Sequence, residues 1–180
     1  REKGLAPLAD LIIAQEKPAE TLEQLAAAYL NEEQGLLNID DVWAGASDIV
    51  AETVAERADI RELVRQSIRQ NAELVSELCV DETVGQDFLM YKEYAEPVKQ
   101  LPPHRILALN RGEKKGCLKL HLNLPSESTL AKINQKLQIK ANGIFTETYT
   151  AAAADAYKRL IFPSLERESR NELTEKAEKQ

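Results

Sequence analysis

The stretch Tyr91–Leu124, YKEYAEPVKQLPPHRILALNRGEKKGCLKLHLNL, gathers chain breakers, positive charge and the one clear strand pattern. The residue before a proline avoids helical backbone, so Leu101 is expected to be extended. Pro102 and Pro103 fit a helix start, where a missing N–H costs nothing. His104 and Arg105 then occupy the first turn of a helix running through Ile106, Leu107 and Leu109. Gly112 is read as its C′ residue, and Glu113-Lys114-Lys115-Gly116 as a turn. From Cys117 onward, Leu118, Leu120, Leu122 and Leu124 alternate with Lys119, His121 and Asn123. That period of two predicts a half-buried strand over 117–124. Its expected partner is a weak strand near Ala141–Phe145 or a segment outside this chain.

Outside this stretch the chain reads as helix. Leu5, Leu8, Ile12 and Ile13 have helical spacing, with Pro7 in the first turn. Lys17-Pro18 ends that helix. Thr21-Leu22-Glu23-Gln24 is a capping box, so two helices flank a short proline turn, the organisation of a helical hairpin. Asp40 or Asp41 caps a third helix with Val42, Ala46, Ile49, Val50 and Val54 on one side. Trp43, the only tryptophan, is read as a core or interdomain anchor in preference to a base-stacking platform. Asp59–Leu78 is read as one amphipathic helix opening on Asp59 and Glu62, with a stripe of Ile60, Leu63, Val64, Ile68, Leu74 and Val75. Phe88, Tyr91 and Tyr94 are expected on one side of a helical turn. After Pro125–Ser128 a helix runs through Leu130, Ile133 and Leu137. A further helix covers Thr146–Phe162, and Pro163 either kinks one long helix or separates two.

The fold class is therefore mainly α, multi-helical, with helix-turn-helix-like hairpins and one short strand or small hairpin near 117–124. Three segments are expected: an N-terminal helical subdomain over 1–91, a connecting helix, basic turn and strand over 92–125, and C-terminal helices over 126–180 that lead into a further domain. The chain begins at Arg1 and stops inside a helical pattern, which reads as part of a longer protein.

Hydrophobic residues make up 43% of the 180 and aromatics 5%, so the core must be mostly aliphatic. Two cysteines make no disulfide framework. With no signal peptide and no run near the roughly 18 apolar residues of a membrane span, the chain reads as cytoplasmic. The net charge of −7 is uneven. Residues 1–91 are strongly acidic, while 92–122 carry seven Lys or Arg against three acids. A chain this acidic is a poor non-specific binder of nucleic acid as a whole, yet it can carry a local basic surface.

No glycine-rich phosphate loop, HExxH, CxxC or Gly-x-Ser-x-Gly is present. Cys117 and His121 lie about 13 Å apart along a strand, too far to share a metal. The residues thus point to no enzyme, no metal and no cofactor. The candidate binding residues are Lys99, His104, Arg105, Arg111, Lys114, Lys115 and Lys119, grouped around a helix N-terminus that could hold an anion and the basic turn. The competing reading is that Arg105 and Arg111 pair with Glu93, Glu96 or Glu113 and brace helices. Arg105 suits bracing, and the 111–115 turn suits contact. Arg57, Arg61, Arg65 and Arg69 recur every four residues. A phosphate-tracking ridge is one reading, and a solvated flank paired with acids, which is commoner on helices, is the preferred one.

The runs Tyr94-Ala95-Glu96-Pro97, Leu101-Pro102-Pro103-His104-Arg105-Ile106-Leu107-Ala108-Leu109, Arg111-Gly112-Glu113 and Gly116-Cys117-Leu118 resemble the Tex family of bacterial transcription accessory proteins. Lys3–Ala9, Ala44–Glu52 and Pro163–Glu168 are similar as well. The family pattern has Ser where Pro103 stands and an aliphatic residue where Cys117 stands. The resemblance implies a large multidomain cytoplasmic protein with helical N-terminal and central regions, an RNase H-like domain, helix-hairpin-helix elements and a C-terminal oligonucleotide-binding fold. This chain would be the helical region before the RNase H-like domain. The implied role is scaffold and auxiliary contact, with DNA or RNA bound mainly by domains outside the chain and the transcription machinery as a further partner. The alternative is a protein-interaction or purely structural module. No membrane partner is implied.

Overall fold

A computed structural model describes residues 3–179. The chain forms two compact units, one built from the chain up to Arg61 together with Leu130–Ile161, the other from Glu62–Thr129 together with the chain from Phe162 onward. The sequence-based boundaries at 91 and 125 both fall inside the second of these.

The first unit is helical. Helix α1 (Ala6–Ala14) carries Pro7 in its first turn and ends at Gln15 in left-handed backbone. Helix α2 (Leu22–Ala27) starts on the expected capping box: the Thr21 hydroxyl accepts the Gln24 N–H, and the Gln24 side chain accepts the Thr21 N–H. Both helices pack against α3 (Ile39–Glu56). The cap of α3 is Asn38, not Asp40 or Asp41. The Asn38 side chain accepts the Asp41 N–H, and Asp41 in turn accepts the Leu37 N–H. Helix α4 (Ala58–Asn71) begins in this unit. Asp59 does not cap it with Glu62; it pairs with Arg57 across 2.6 Å and accepts the Ile60 N–H. Helix α6 (Ser126–Lys136) ends in the unit. Helix α7 (Thr146–Asp155) continues into a π-helical turn, Ala156–Ile161. Leu8 and Ile12, Val42, Ala46 and Val50, and Phe145, Tyr149 and Ala153 form the buried interior. Trp43, half-buried, lies against the buried Phe145 with ring centroids 6.5 Å apart, which places it at the edge of this unit's core.

Helical residues run without interruption from Thr146 to Glu178, so Pro163 does not divide two helices. The wide π-turn directly before it accommodates the proline ring, which would clash with the carbonyl four residues back in a regular α-helix.

The second unit contains the sheet. Strands β1 (Glu73–Leu78), β2 (Glu93–Pro97) and β3 (Leu118–Asn123) are antiparallel in the order β2-β1-β3. The predicted strand is β3. Its partner is neither near Ala141 nor outside the chain: Leu74 opposes Leu122 and Leu78 opposes Leu118. The amphipathic stretch read as one helix over Asp59–Leu78 is helix to Asn71 and strand from Glu73. The Ala72 carbonyl, at the change of direction, accepts the Val98 N–H. Tyr94 belongs to β2, while Phe88 and Tyr91 are buried in a 3-10 helix, Gln86–Tyr91, so the three do not share one helical turn. Tyr91 and Tyr94 still meet edge to face, at 5.3 Å and 82°.

Helix α5 (Pro103–Lys114) starts on Pro102 and Pro103 as expected. It does not stop at Gly112. Gly112 is buried inside the helix, where a β-carbon would come within 2.4 Å of the Leu118 side chain. Gly116, with φ +76°, makes the left-handed exit instead. Helix α5 packs on β3 and on α8 (Phe162–Glu178). The N–H of Leu122 is taken by the Glu166 carboxylate at 2.7 Å, which satisfies a donor on the outer side of β3.

Candidate nucleic-acid interface

The candidate residues lie in the second unit and fall into distinct settings. At the N-terminal end of α5, Arg105 donates from one guanidinium nitrogen to both oxygens of Glu96, at 2.5 and 2.9 Å. Tyr94 donates its hydroxyl to the same carboxylate, and the Arg105 guanidinium sits 5.9 Å from the centre of the Tyr94 ring. Burial opposes ionisation of Glu96. The hydrogen bonds from Tyr94 and Arg105, with the nearby charges of Arg105 and His104, outweigh it and hold the carboxyl below its ordinary range. The charge of Arg105 is therefore engaged, and the residue braces α5 against β2. His104, beside it, is exposed.

A folded-state carboxyl held below its unfolded value contributes stability above the unfolded value, and that contribution is lost as pH falls through the folded value. Glu96→Gln should accordingly cost about 1–3 kcal/mol at neutral pH. Its penalty should shrink on acidification, because the parent loses the same ion pair. Urea midpoints of parent and variant across the acid range measure this; a penalty that stays constant with pH would contradict it.

At the other end of α5 the picture reverses. Arg111, Lys114 and Lys115 are exposed and make no ion pair among the described residues. The acid nearest in sequence, Glu113, is held by a bidentate contact from Arg170 at 2.7 and 2.9 Å. Cations at a helix C-terminus are favoured by the helix dipole, which accounts for their presence but leaves their charge available. Arg111 and Lys115 line a groove of about 190 Å3 with Asp87, Phe88, Met90 and Ala108. The Lys115 ammonium lies 6.0 Å from the Phe88 ring centre. Lys119 stands on the exposed face of β3, in register opposite Glu77. Lys99 is elsewhere, in a groove with Arg69, Lys176, Glu172 and Val98.

Two features escaped sequence reasoning. Val84, Leu89 and Met90 are exposed, at 64%, 42% and 73%, and Met90 lines the Arg111 groove; the adjacent apolar pair Leu89-Met90 was the available signal. Arg170, the residue that removes Glu113 from competition, is 57 positions away in sequence. The four-residue arginine series is not a free ridge. Arg57 pairs with Asp59, Arg65 with Glu62 and Glu168, Arg69 with Glu62 and Glu172, and Arg61 donates to the Ala55 carbonyl. Among the described residues no cluster of His, Cys, Asp or Glu could hold a metal, and no helix is long and apolar enough to cross a membrane.

Comparison with known proteins matches these residues to one family. The family model described as Tex central region-like matches residues 17–180. The chain is 41% identical over 128 residues to Protein tex of Bordetella pertussis, covering 71% of this chain and 16% of that protein. It is 33% identical over 186 residues to the Transcriptional accessory protein Tex of Neisseria gonorrhoeae, covering 98% and 24%. It is also 28% identical over 193 residues to the human S1 RNA-binding domain-containing protein 1, covering 100% and 19%. The chain thus spans a quarter or less of the length of each of these relatives. The chain belongs to the Tex family, and its helical units with their small three-stranded sheet correspond to that family's central region.

Proposed function

We propose that this region is the helical scaffold of a cytoplasmic transcription accessory protein and adds auxiliary phosphate contacts to a nucleic acid held mainly by other domains. Arg111, Lys114 and Lys115 are the principal contacts, with Lys119, Lys99 and His104 as outlying ones. The observation that carries this reading is the contrast along α5: Arg105 is committed to Glu96, whereas the three cations at the far end have no carboxylate partner among the described residues. The names of the gonococcal and human relatives, transcriptional accessory and S1 RNA-binding, agree with it. No catalytic role is assigned.

The test is a salt titration of oligonucleotide binding with the full-length protein and with this chain. Replacing Arg111, Lys114 and Lys115 together with Ala should weaken binding at low salt. It should also flatten the plot of log affinity against log salt by about 2 for a single strand, or somewhat more for a duplex, as three phosphate contacts release fewer counterions. An unchanged slope would discard the phosphate contacts. The second reading, a protein-interaction module, would then take over; the exposed Val84, Leu89 and Met90 favour it.

A further inference from the structure

Cys79 and Cys117 are far apart in sequence, yet the sheet brings them opposite each other. The last pair of the β1–β3 ladder is Leu78 with Leu118. One step further, the Cys79 N–H donates to the Cys117 carbonyl at 2.9 Å. Opposed residues that continue an antiparallel register keep their Cα atoms about 4.5–5.5 Å apart and send their side chains to the same face. A disulfide spans Cα separations of about 4.4–6.8 Å, so this spacing meets its requirement. The thiols themselves converge on the turn before Cys117. The Cys79 sulfur lies 3.2 Å from the Gly116 carbonyl, and the Cys117 sulfur 3.9 Å from that of Lys115. Cys79 is exposed and Cys117 buried. The Cys117 N–H is given to the Gly112 carbonyl, so Cys117 joins the end of α5 to the end of β1.

We propose that Cys79 and Cys117 are a redox modification site: a reversible cross-strand disulfide that clamps the Lys114-Lys115 turn to β1. The exposed thiol reacts first. The Cys79 thiolate attacks one sulfur of a small-molecule disulfide such as glutathione disulfide, forms a mixed disulfide and expels one glutathione thiolate. The Cys117 thiolate then attacks the Cys79 sulfur and expels the second glutathione. Two protein thiols and one glutathione disulfide become one protein disulfide and two glutathione thiols. The two electrons leave the protein thiols for the glutathione sulfurs, and the two protons released on forming the thiolates are taken up by the glutathione thiolates. A dithiol reverses the sequence, because the Cys79 sulfur remains open to solvent.

The full-length protein, incubated with excess glutathione disulfide, acid-quenched, alkylated and digested, should yield a linked Cys79–Cys117 peptide by mass spectrometry, and dithiothreitol should abolish it. Cys117→Ser should trap glutathione on Cys79, because the second attack is removed. Cys79→Ser, at an exposed position, should yield no linked peptide and leave Cys117 as a thiol. Stable glutathione on Cys79 in the parent with Cys117 still free would overturn the proposal. So would a bridge forming only between two molecules, or no reaction at either thiol.

Discussion

Phe145→Ala should lower the stability of the first unit by about 3–5 kcal/mol, the range for truncating a buried phenylalanine. The Phe145 side chain is 1% exposed and sits at the start of α7, where its carbonyl accepts the Tyr149 N–H at 2.8 Å. Truncation leaves a ring-sized void beside Trp43, whose ring is tilted 54° to that of Phe145. It also removes an aromatic pair, itself worth about 0.5–1.5 kcal/mol beyond its buried area. Trp43 is the only tryptophan, so its fluorescence reports this site directly. The expected result is a lower urea midpoint followed by Trp43 emission, with native emission shifted to the red as water reaches the indole. Phe145→Leu, which retains most of the volume, should lose well under half as much. Equal midpoints for parent and Phe145→Ala would mean that the two rings do not pack as described.

Gly112→Val should be comparably damaging, on the order of 3 kcal/mol, and for the opposite reason. Helix propensity alone would predict a gain of a few tenths of a kcal/mol, because glycine is the poorer residue inside a helix. Packing outweighs it. A β-carbon at 112 would lie 2.4 Å from Leu118 Cδ1, 2.8 Å from Leu118 Cγ and 3.1 Å from Phe88 Cδ1. Leu118, the nearer of the two, is 2% exposed, so its side chain is enclosed by its neighbours. The glycine is there to let α5 close on β3, which in turn sets where Arg111 and Lys115 stand. Pairing Gly112→Val with Leu118→Ala should recover part of the loss in a double-mutant cycle, since the second change opens the space that the first one fills. Strictly additive penalties would remove the steric explanation.

Much of the fold was legible in local residue patterns. The Thr21–Gln24 capping box, the proline start of α5 and the leucine alternation of β3 are decided by neighbouring residues, and each stands where the sequence placed it. Strand β1 was hidden. Its inward positions are Leu74, Ser76 and Leu78, and the buried serine breaks the apolar alternation. The serine is tolerated because its hydroxyl donates to the Tyr91 carbonyl at 2.8 Å, a partner fifteen residues away. Leu74 and Val75 meanwhile extend the helical stripe of α4. Strand β2 was hidden by its acids and by Pro97, features of an edge strand that carry little periodic signal.

The candidate interface divides in the same way. The sequence by itself determined a mainly helical chain of the Tex family with a basic island between residues 92 and 122, because composition, caps and periodicity are local properties. Only the tertiary structure decided which of those cations carry available charge. Glu96 reaches Arg105 from β2, and Arg170 reaches Glu113 from α8. The end of α5 is left with Arg111, Lys114 and Lys115 unpaired among the described residues. An ion pair depends on which side chains the fold brings within a few ångströms, and sequence spacing does not contain that distance.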